Sequence, residues 1–171
     1  QAMRMEGYEF KGVIYAGLML TVDGPKVIEF NCRLGDPETQ VILPRMSSDL
    51  VDVLLAIVDG KVEDCRVEWD DRHCVGVVLA SKGYPGKYET GFVISGTEDL
   101  GLETVVFISG ARWGIDSSRG ESSLLTDGGR VMTVTSLGDS FQEASSQAYR
   151  GVEQISFKGA YYRRDIGFNR A

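Results

Sequence analysis

The chain has 171 residues, 43% of them apolar, and a net charge of −7. That length suits one large domain or two small ones, and that apolar content suits a globular chain rather than a disordered one. The acidic excess argues against non-specific binding to nucleic acid or to an anionic membrane, whose phosphates would repel it.

The longest uninterrupted apolar run, VLLAIV at 53–58, falls far short of the ~20 residues that span a bilayer. The expectation is therefore no nucleic-acid partner and no membrane partner. Cys32, Cys65 and Cys74 are odd in number and lack zinc-site spacing. They read as thiols of a reducing compartment, and the expected localisation is cytoplasmic. The opening QAMRMEGYEF has no apolar central region, so no signal peptide is expected. A first residue of Gln reads as a processed or truncated chain.

Taken in order, residues 1–12 read as a helix end and a turn, stopped by Gly7 and Gly12. VIYAGLMLTV at 13–22 reads as a strand, Asp23-Gly24-Pro25 as a tight turn, and 26–31 as the returning strand of a hairpin. After Gly35 the pattern turns helical. Asp36 is placed to cap, Pro37 suits the first helical position, and Glu38 suits the positive end of the dipole. Pro44 interrupts this segment. A second helix, capped by Ser47 or Ser48, carries Leu50, Val53, Leu54, Ile57 and Val58 as a buried stripe and stops at Gly60.

Beyond Cys65 strands dominate. CVGVVLAS (74–81) reads as a buried strand, KGYPGKYETG (82–91) as a turn-rich loop, and TVVFISGARW (104–113) as strand, turn, strand. LLTDGGRVMTVTSLG (124–138) reads as a hairpin tipped by Asp127-Gly128-Gly129. DSFQEASSQAYRGVEQI (139–155) is an amphipathic helix with Phe141, Ala144, Ala148 and Val152 on one face. AYYRRDIGF (160–168) adds a last strand. The texture changes near 65–73. His73 reads as a surface or edge histidine, Trp69 and Trp113 as packing residues, and Tyr84-Pro85-Gly86 as a rigid turn.

The segment with the most chemistry is KVIEFNCRLGDPETQ at 26–40. Strand side chains alternate, so Glu29 and Asn31 share a face. A carboxylate and an amide oxygen are hard ligands suited to magnesium, which completes its shell with water and phosphate. Arg33 offers a planar fork for a phosphate or carboxylate. Gly35 lets a ligand approach the backbone, and a helix start at Pro37 offers free amides to an anion. The plain alternative is exposed-face polarity at Glu29 and Asn31 and a surface ion pair between Arg33 and Asp36.

The run VIEFNCRLGDPETQVILPRMSSDLVDVL resembles the signature of the phosphoribosylamine–glycine ligase family (glycinamide ribonucleotide synthetases) among the ATP-grasp ligases. GVIYAGLML before it is similar too. So are GVVLASKGYPGKYETGFVISG, DGGRVMTVTSLGDSFQEASSQAY and YYRRDIGF after it. The resemblance implies an α+β chain. Residues 1–72 would be the final hairpin and helices of an ATP-grasp domain, and residues 73–171 a β-rich C-terminal domain with one main helix. It implies ATP-dependent ligation of glycine to 5-phosphoribosylamine through glycyl phosphate.

It further implies that Glu29 and Asn31 ligate Mg2+ or Mn2+, with ATP as co-substrate. Arg33, Gly35 and Asp36 would line the substrate pocket, with Arg33 holding the reacting anion as a catalytic residue. Arg163 and Arg164 would sit at a basic pair of the family, where lysine is common at the second place; substrate-phosphate binding and structural ion pairing are both open to them. The preceding strand offers Tyr15, Gly17 and Met19 where many ATP-grasp enzymes carry a further metal-binding acid.

The glycine-rich phosphate loop, the adenine pocket and the N-terminal substrate domain of the family have no counterpart in the sequence. The missing N-terminal part of the same enzyme is thus an implied partner, and the chain alone is expected to be inactive. Another ATP-grasp ligase, such as a carboxylase subunit, and a non-catalytic binding or structural domain are the competing readings. The Arg-Leu-Gly-Asp-Pro-Glu run favours the first family.

Overall fold

The computed structural model describes residues 2–98, 100–116 and 118–167. The chain divides into two compact units, Gln1–Thr39 with Met46–Asp70, and Gln40–Arg45 with Asp71–Ala171. Both mix strands and helices, as an α+β chain should. Among the described residues no helix is long and apolar enough to cross a membrane.

The first unit opens with a short helix, α1 (Ala2–Met5), and then forms a hairpin of β1 (Tyr15–Thr21) and β2 (Gly24–Asn31). The strands are antiparallel, with Tyr15 opposite Asn31 and Gly17 opposite Glu29. The turn is tighter than expected. Gly24 already pairs with Thr21, and Pro25 lies inside β2. Thr21 Oγ1 closes the turn by donating to the Gly24 carbonyl at 2.7 Å.

Beyond the hairpin no helix starts at Pro37. The Asp36–Pro37 peptide is cis, and the chain turns so that the Thr39 amide and hydroxyl both donate to the Gly35 carbonyl. Only one helical turn follows, α2 (Thr39–Ile42), running into a 3-10 turn at Leu43–Arg45 that contains Pro44. The helix α3 (Leu50–Asp59) is capped not by Ser47 or Ser48 but by Asp49, whose carboxylate accepts from the Val51 amide at 2.8 Å. Ser48 is engaged elsewhere, its hydroxyl accepting from the Glu68 amide at 2.8 Å. Gly60 ends α3 at φ 71°, as expected. The apolar stripe of α3 is not buried: Leu54 and Val58 are exposed, and no residue of the helix is fully enclosed.

The second unit is built on a four-stranded antiparallel sheet in the order β4 (Thr104–Ile108), β7 (Arg130–Gly138), β3 (His73–Ser81), β8 (Ala160–Tyr161). The helix α4 (Phe141–Gln154) packs on it, started by Ser140, whose hydroxyl accepts from the Glu143 amide. The core joins Val75, Val77 and Leu79 of β3 to Val131, Met132 and Val134 of β7 and to Ala144, Ala148 and Val152 of α4. Small residues on the inner face of α4 let it approach the sheet closely, and the alanines among them cost no side-chain entropy.

Residues 124–138 do not form a hairpin. The strand β6 (Ser122–Thr126) pairs with β5 (Ala111–Ile115), while β7 lies between β3 and β4. Residues 104–115 and 122–136 are instead two arms of one long bent pair, interrupted where the Asp127 amide donates to the Gly110 carbonyl at 2.7 Å. The Asp-Gly-Gly run marks a corner between two sheets, not a tip. The loop closing the arms is held by Asp116, whose carboxylate accepts from the Ser118 amide and hydroxyl at 2.8 and 2.7 Å.

The expected final strand shrinks to β8, and Phe168 of that expectation lies outside the described residues. Trp69 and Trp113 are 49% and 70% exposed, so neither is a packing residue. His73 is an exposed edge residue, its ring meeting Phe141 edge-on.

Candidate functional site

The hairpin places Glu29 and Asn31 on one exposed face, where the Asn31 amide nitrogen donates to Glu29 Oε1 at 2.9 Å. Gly17 stands opposite Glu29, and a methyl there would press on Glu29 Cγ at 3.1 Å. The bare backbone of β1 is what gives the carboxylate its room. Among the described residues no group of three or more His, Cys, Asp or Glu side chains is placed to hold a metal ion. Glu29 and Asn31 themselves offer one carboxylate and one amide oxygen, a pair that would suit a hard cation filling its shell with water and phosphate oxygens.

Sequence reasoning passed over Glu38 except as a dipole partner. The structure turns its carboxylate back over Gly35 and brings Oε1 to 3.2 Å from the Tyr15 hydroxyl, which donates to it. Tyr15 is cross-strand from Asn31, so Glu38 reaches the face that carries the Glu29–Asn31 pair. Partial burial, the hydrogen bond to Glu38, and the charges of Glu38 and Glu29 hold the Tyr15 phenol above its ordinary range. The available signal was the tyrosine in place of an acid on the preceding strand: a phenol long enough to anchor an acid supplied from elsewhere.

Gly35 is buried, and any side chain on it would strike the Glu38 carboxylate. Its role is thus to make room for a side chain of this protein. Arg33 is exposed, and its Nη1 donates to the neighbouring Leu34 carbonyl at 2.8 Å, leaving the other edge of the guanidinium outward. Asp36 is half-buried in the turn. The anion site expected at a helix start is absent, because no helix begins at Pro37.

Arg163 and Arg164 belong to the second unit. Arg163 makes a two-pronged pair with Asp165, at 2.9 and 2.7 Å, which raises the guanidinium and lowers the carboxyl from their usual ranges. Its carbonyl accepts from the Tyr149 hydroxyl at 2.9 Å. The Arg164 guanidinium lies 5.7 Å from the Tyr162 ring centre. Near the same segment Cys74 is half-buried, and burial pushes its thiol up to about 11 despite the opposing charge of Arg45.

The first unit thus presents Glu29 and Asn31 on one hairpin face followed by an arginine and a glycine-acid turn, and its first 39 residues match an ATP-grasp domain, the class of protein to which this hairpin belongs. Residues 74–169 match the phosphoribosylglycinamide synthetase C domain and residues 1–39 match the ATP-grasp (A) domain of the same synthetase. The chain belongs to the phosphoribosylglycinamide synthetase family.

A phosphoribosylamine–glycine ligase of Caldanaerobacter subterraneus is 48% identical over 96% of this chain and 38% of its own length. The trifunctional purine biosynthetic protein adenosine-3 of Gallus gallus is also 48% identical, over 97% of this chain and 16% of its own length. The crystal structure of phosphoribosylamine–glycine ligase from Thermotoga maritima superposes with a TM-score of 0.79 at 37% identity, covering 96% of this chain and 39% of that one. The chain thus spans little more than a third of the single-function ligases it matches.

Proposed function

We propose that this chain is the C-terminal portion of a cytoplasmic phosphoribosylamine–glycine ligase, with residues 1–72 completing its ATP-grasp domain and residues 73–171 forming its C-terminal domain. In the whole enzyme the γ-phosphoryl group of ATP passes to a glycine carboxylate oxygen, giving glycyl phosphate and ADP. The amine of 5-phosphoribosylamine then attacks the acyl carbon, loses a proton, and expels inorganic phosphate. The reading rests above all on the adjacent carboxylate and amide of Glu29 and Asn31 on one exposed strand face.

Those two residues would hold Mg2+ or Mn2+. Bound there with ATP, the ion supplies neutralisation of the phosphate charge during phosphoryl transfer. Arg33 presents its outward edge to the reacting carboxylate or phosphate, while Gly35 and Asp36 shape the turn beside it. Arg163 is committed to Asp165, which favours a structural role over substrate-phosphate binding for it; Arg164 has its guanidinium on a tyrosine ring and no carboxylate partner among the described residues.

The chain alone is inactive in this reading and works with the N-terminal part of the same enzyme. Supplying that part in trans should restore glycine- and phosphoribosylamine-dependent ADP release, and Glu29→Gln should abolish it. Unchanged turnover in the Glu29→Gln protein would remove the metal assignment.

A further inference from the structure

The chain carries six lysines: Lys11, Lys26, Lys61, Lys82, Lys87 and Lys158. Three of them, Lys82, Lys87 and Lys158, line one groove of about 430 Å3 within the second unit, against a single lining carboxylate, Glu89. Among the described residues none of the three ammonium groups pairs with a carboxylate. All three side chains are exposed, and with one carboxylate among them they make a locally positive surface in a chain whose net charge is −7.

The groove is framed by fixed backbone. Lys82 is tied to the segment before β8 by its amide, which donates to the Gly159 carbonyl at 2.9 Å. Gly83 sits at φ 101°, and a side chain there would collide with the Lys87 carbonyl, so the 83–87 turn closes only around glycine. The Gly86 amide locks that turn by donating to the Gly83 carbonyl at 2.7 Å. The apolar wall is Phe92, bound on both sides to the buried Thr126: its amide donates to Thr126 Oγ1 at 3.1 Å and its carbonyl accepts from the Thr126 amide at 2.8 Å. Lys158 Nζ already lies 4.7 Å from the Phe92 ring centre. Tyr88 adds a second ring to the lining.

We propose that this groove binds a phosphate-type anion, with Lys82, Lys87 and Lys158 meeting the charge and Phe92 and Tyr88 flanking whatever carbon skeleton carries it. Nothing in the ligase chemistry assigned to the Glu29 face uses these residues, so the proposal stands apart from that reading. The source of the phosphate is either the free inorganic ion or a phosphate monoester, and the aromatic wall favours the ester.

The test titrates the 171-residue chain with inorganic phosphate and, separately, with ribose 5-phosphate, following the assigned amide resonances of Gly83, Lys87 and Gly159. Saturable shifts at these amides are expected, weakening as salt rises. Tighter saturation by ribose 5-phosphate identifies an ester site, and equal saturation identifies a site for the free ion. Lys87→Gln and Lys158→Gln should each weaken binding about threefold to tenfold, with melting temperature unchanged because both side chains are exposed. Lys26→Gln, outside the groove, should leave it unaltered. Shifts that grow linearly without saturating, or that survive both groove substitutions undiminished, would overturn the proposal.

Discussion

Replacing Gly35 with alanine tests whether Glu38 is a built part of the hairpin face. The backbone at Gly35 has ordinary dihedrals, so the substitution carries no left-handed penalty. The new methyl would occupy the place of the Glu38 carboxylate and press on Glu38 Cβ at 3.1 Å. The carboxylate is the free end of a flexible side chain and can swing away; the Cβ cannot. The loss is then the Tyr15–Glu38 hydrogen bond, about 1 kcal/mol, with crowding at the low end of overpacking, about 1 kcal/mol. Against this stands about 0.4–1 kcal/mol gained by restricting the unfolded chain. The net destabilisation is about 1 kcal/mol on that reckoning.

The sharper reading is local. The Tyr15 phenol is held up by burial, by its bond to Glu38 and by the charges of Glu38 and Glu29. Moving Glu38 away removes the second cause and weakens the third, so Tyr15 should titrate at lower pH in Gly35→Ala. With the tyrosines labelled at Cζ, carbon NMR follows each of the seven through its titration, and Tyr15→Phe assigns the one in question. Glu38→Gln should lower the Tyr15 midpoint in the same direction. A midpoint unchanged in both variants would refute the coupling of Glu38 to this face.

Leu79 is fully buried and Leu102 fully exposed, so Leu79→Ala should destabilise the second unit by about 2–5 kcal/mol and Leu102→Ala by less than about 0.5 kcal/mol; denaturant titration monitored at Trp113 separates them, and equal costs would contradict the core assignment. The carboxyls of Asp116 and Asp165 are held below their usual range, chiefly by the Ser118 hydroxyl and by Arg163 respectively. What they contribute is complete above roughly pH 3.9 and lost as pH falls through their folded values, so Asp116→Asn should flatten the acid limb of a stability profile below that pH. Cys74, with its thiol pushed to about 11, should react with iodoacetamide at neutral pH far more slowly than the exposed Cys32; peptide mapping after timed alkylation measures both.

The sequence by itself determined most of what is local. Alternation put Glu29 and Asn31 on one face, because a strand has a period of two whatever surrounds it. The small residues of 139–155 marked the helix that packs closely, and Gly60 marked a stop, because propensity and capping depend on near neighbours. The tertiary structure decided where the partners come from. Asp-Gly-Gly at 127–129 is a strong turn signal in any context, yet here it is a corner, since the hydrogen bonds of β6 and β7 go to β5 and to β3 and β4 across long separations. Glu38 looked like the first turn of a helix and became a neighbour of the Glu29–Asn31 face, because Tyr15, 23 residues earlier, reaches its carboxylate. The half-exposed stripe of α3 and the three lysines gathered from two distant segments belong to the same category. Periodicity records which residues share a face, but not which distant segment, if any, comes to cover it.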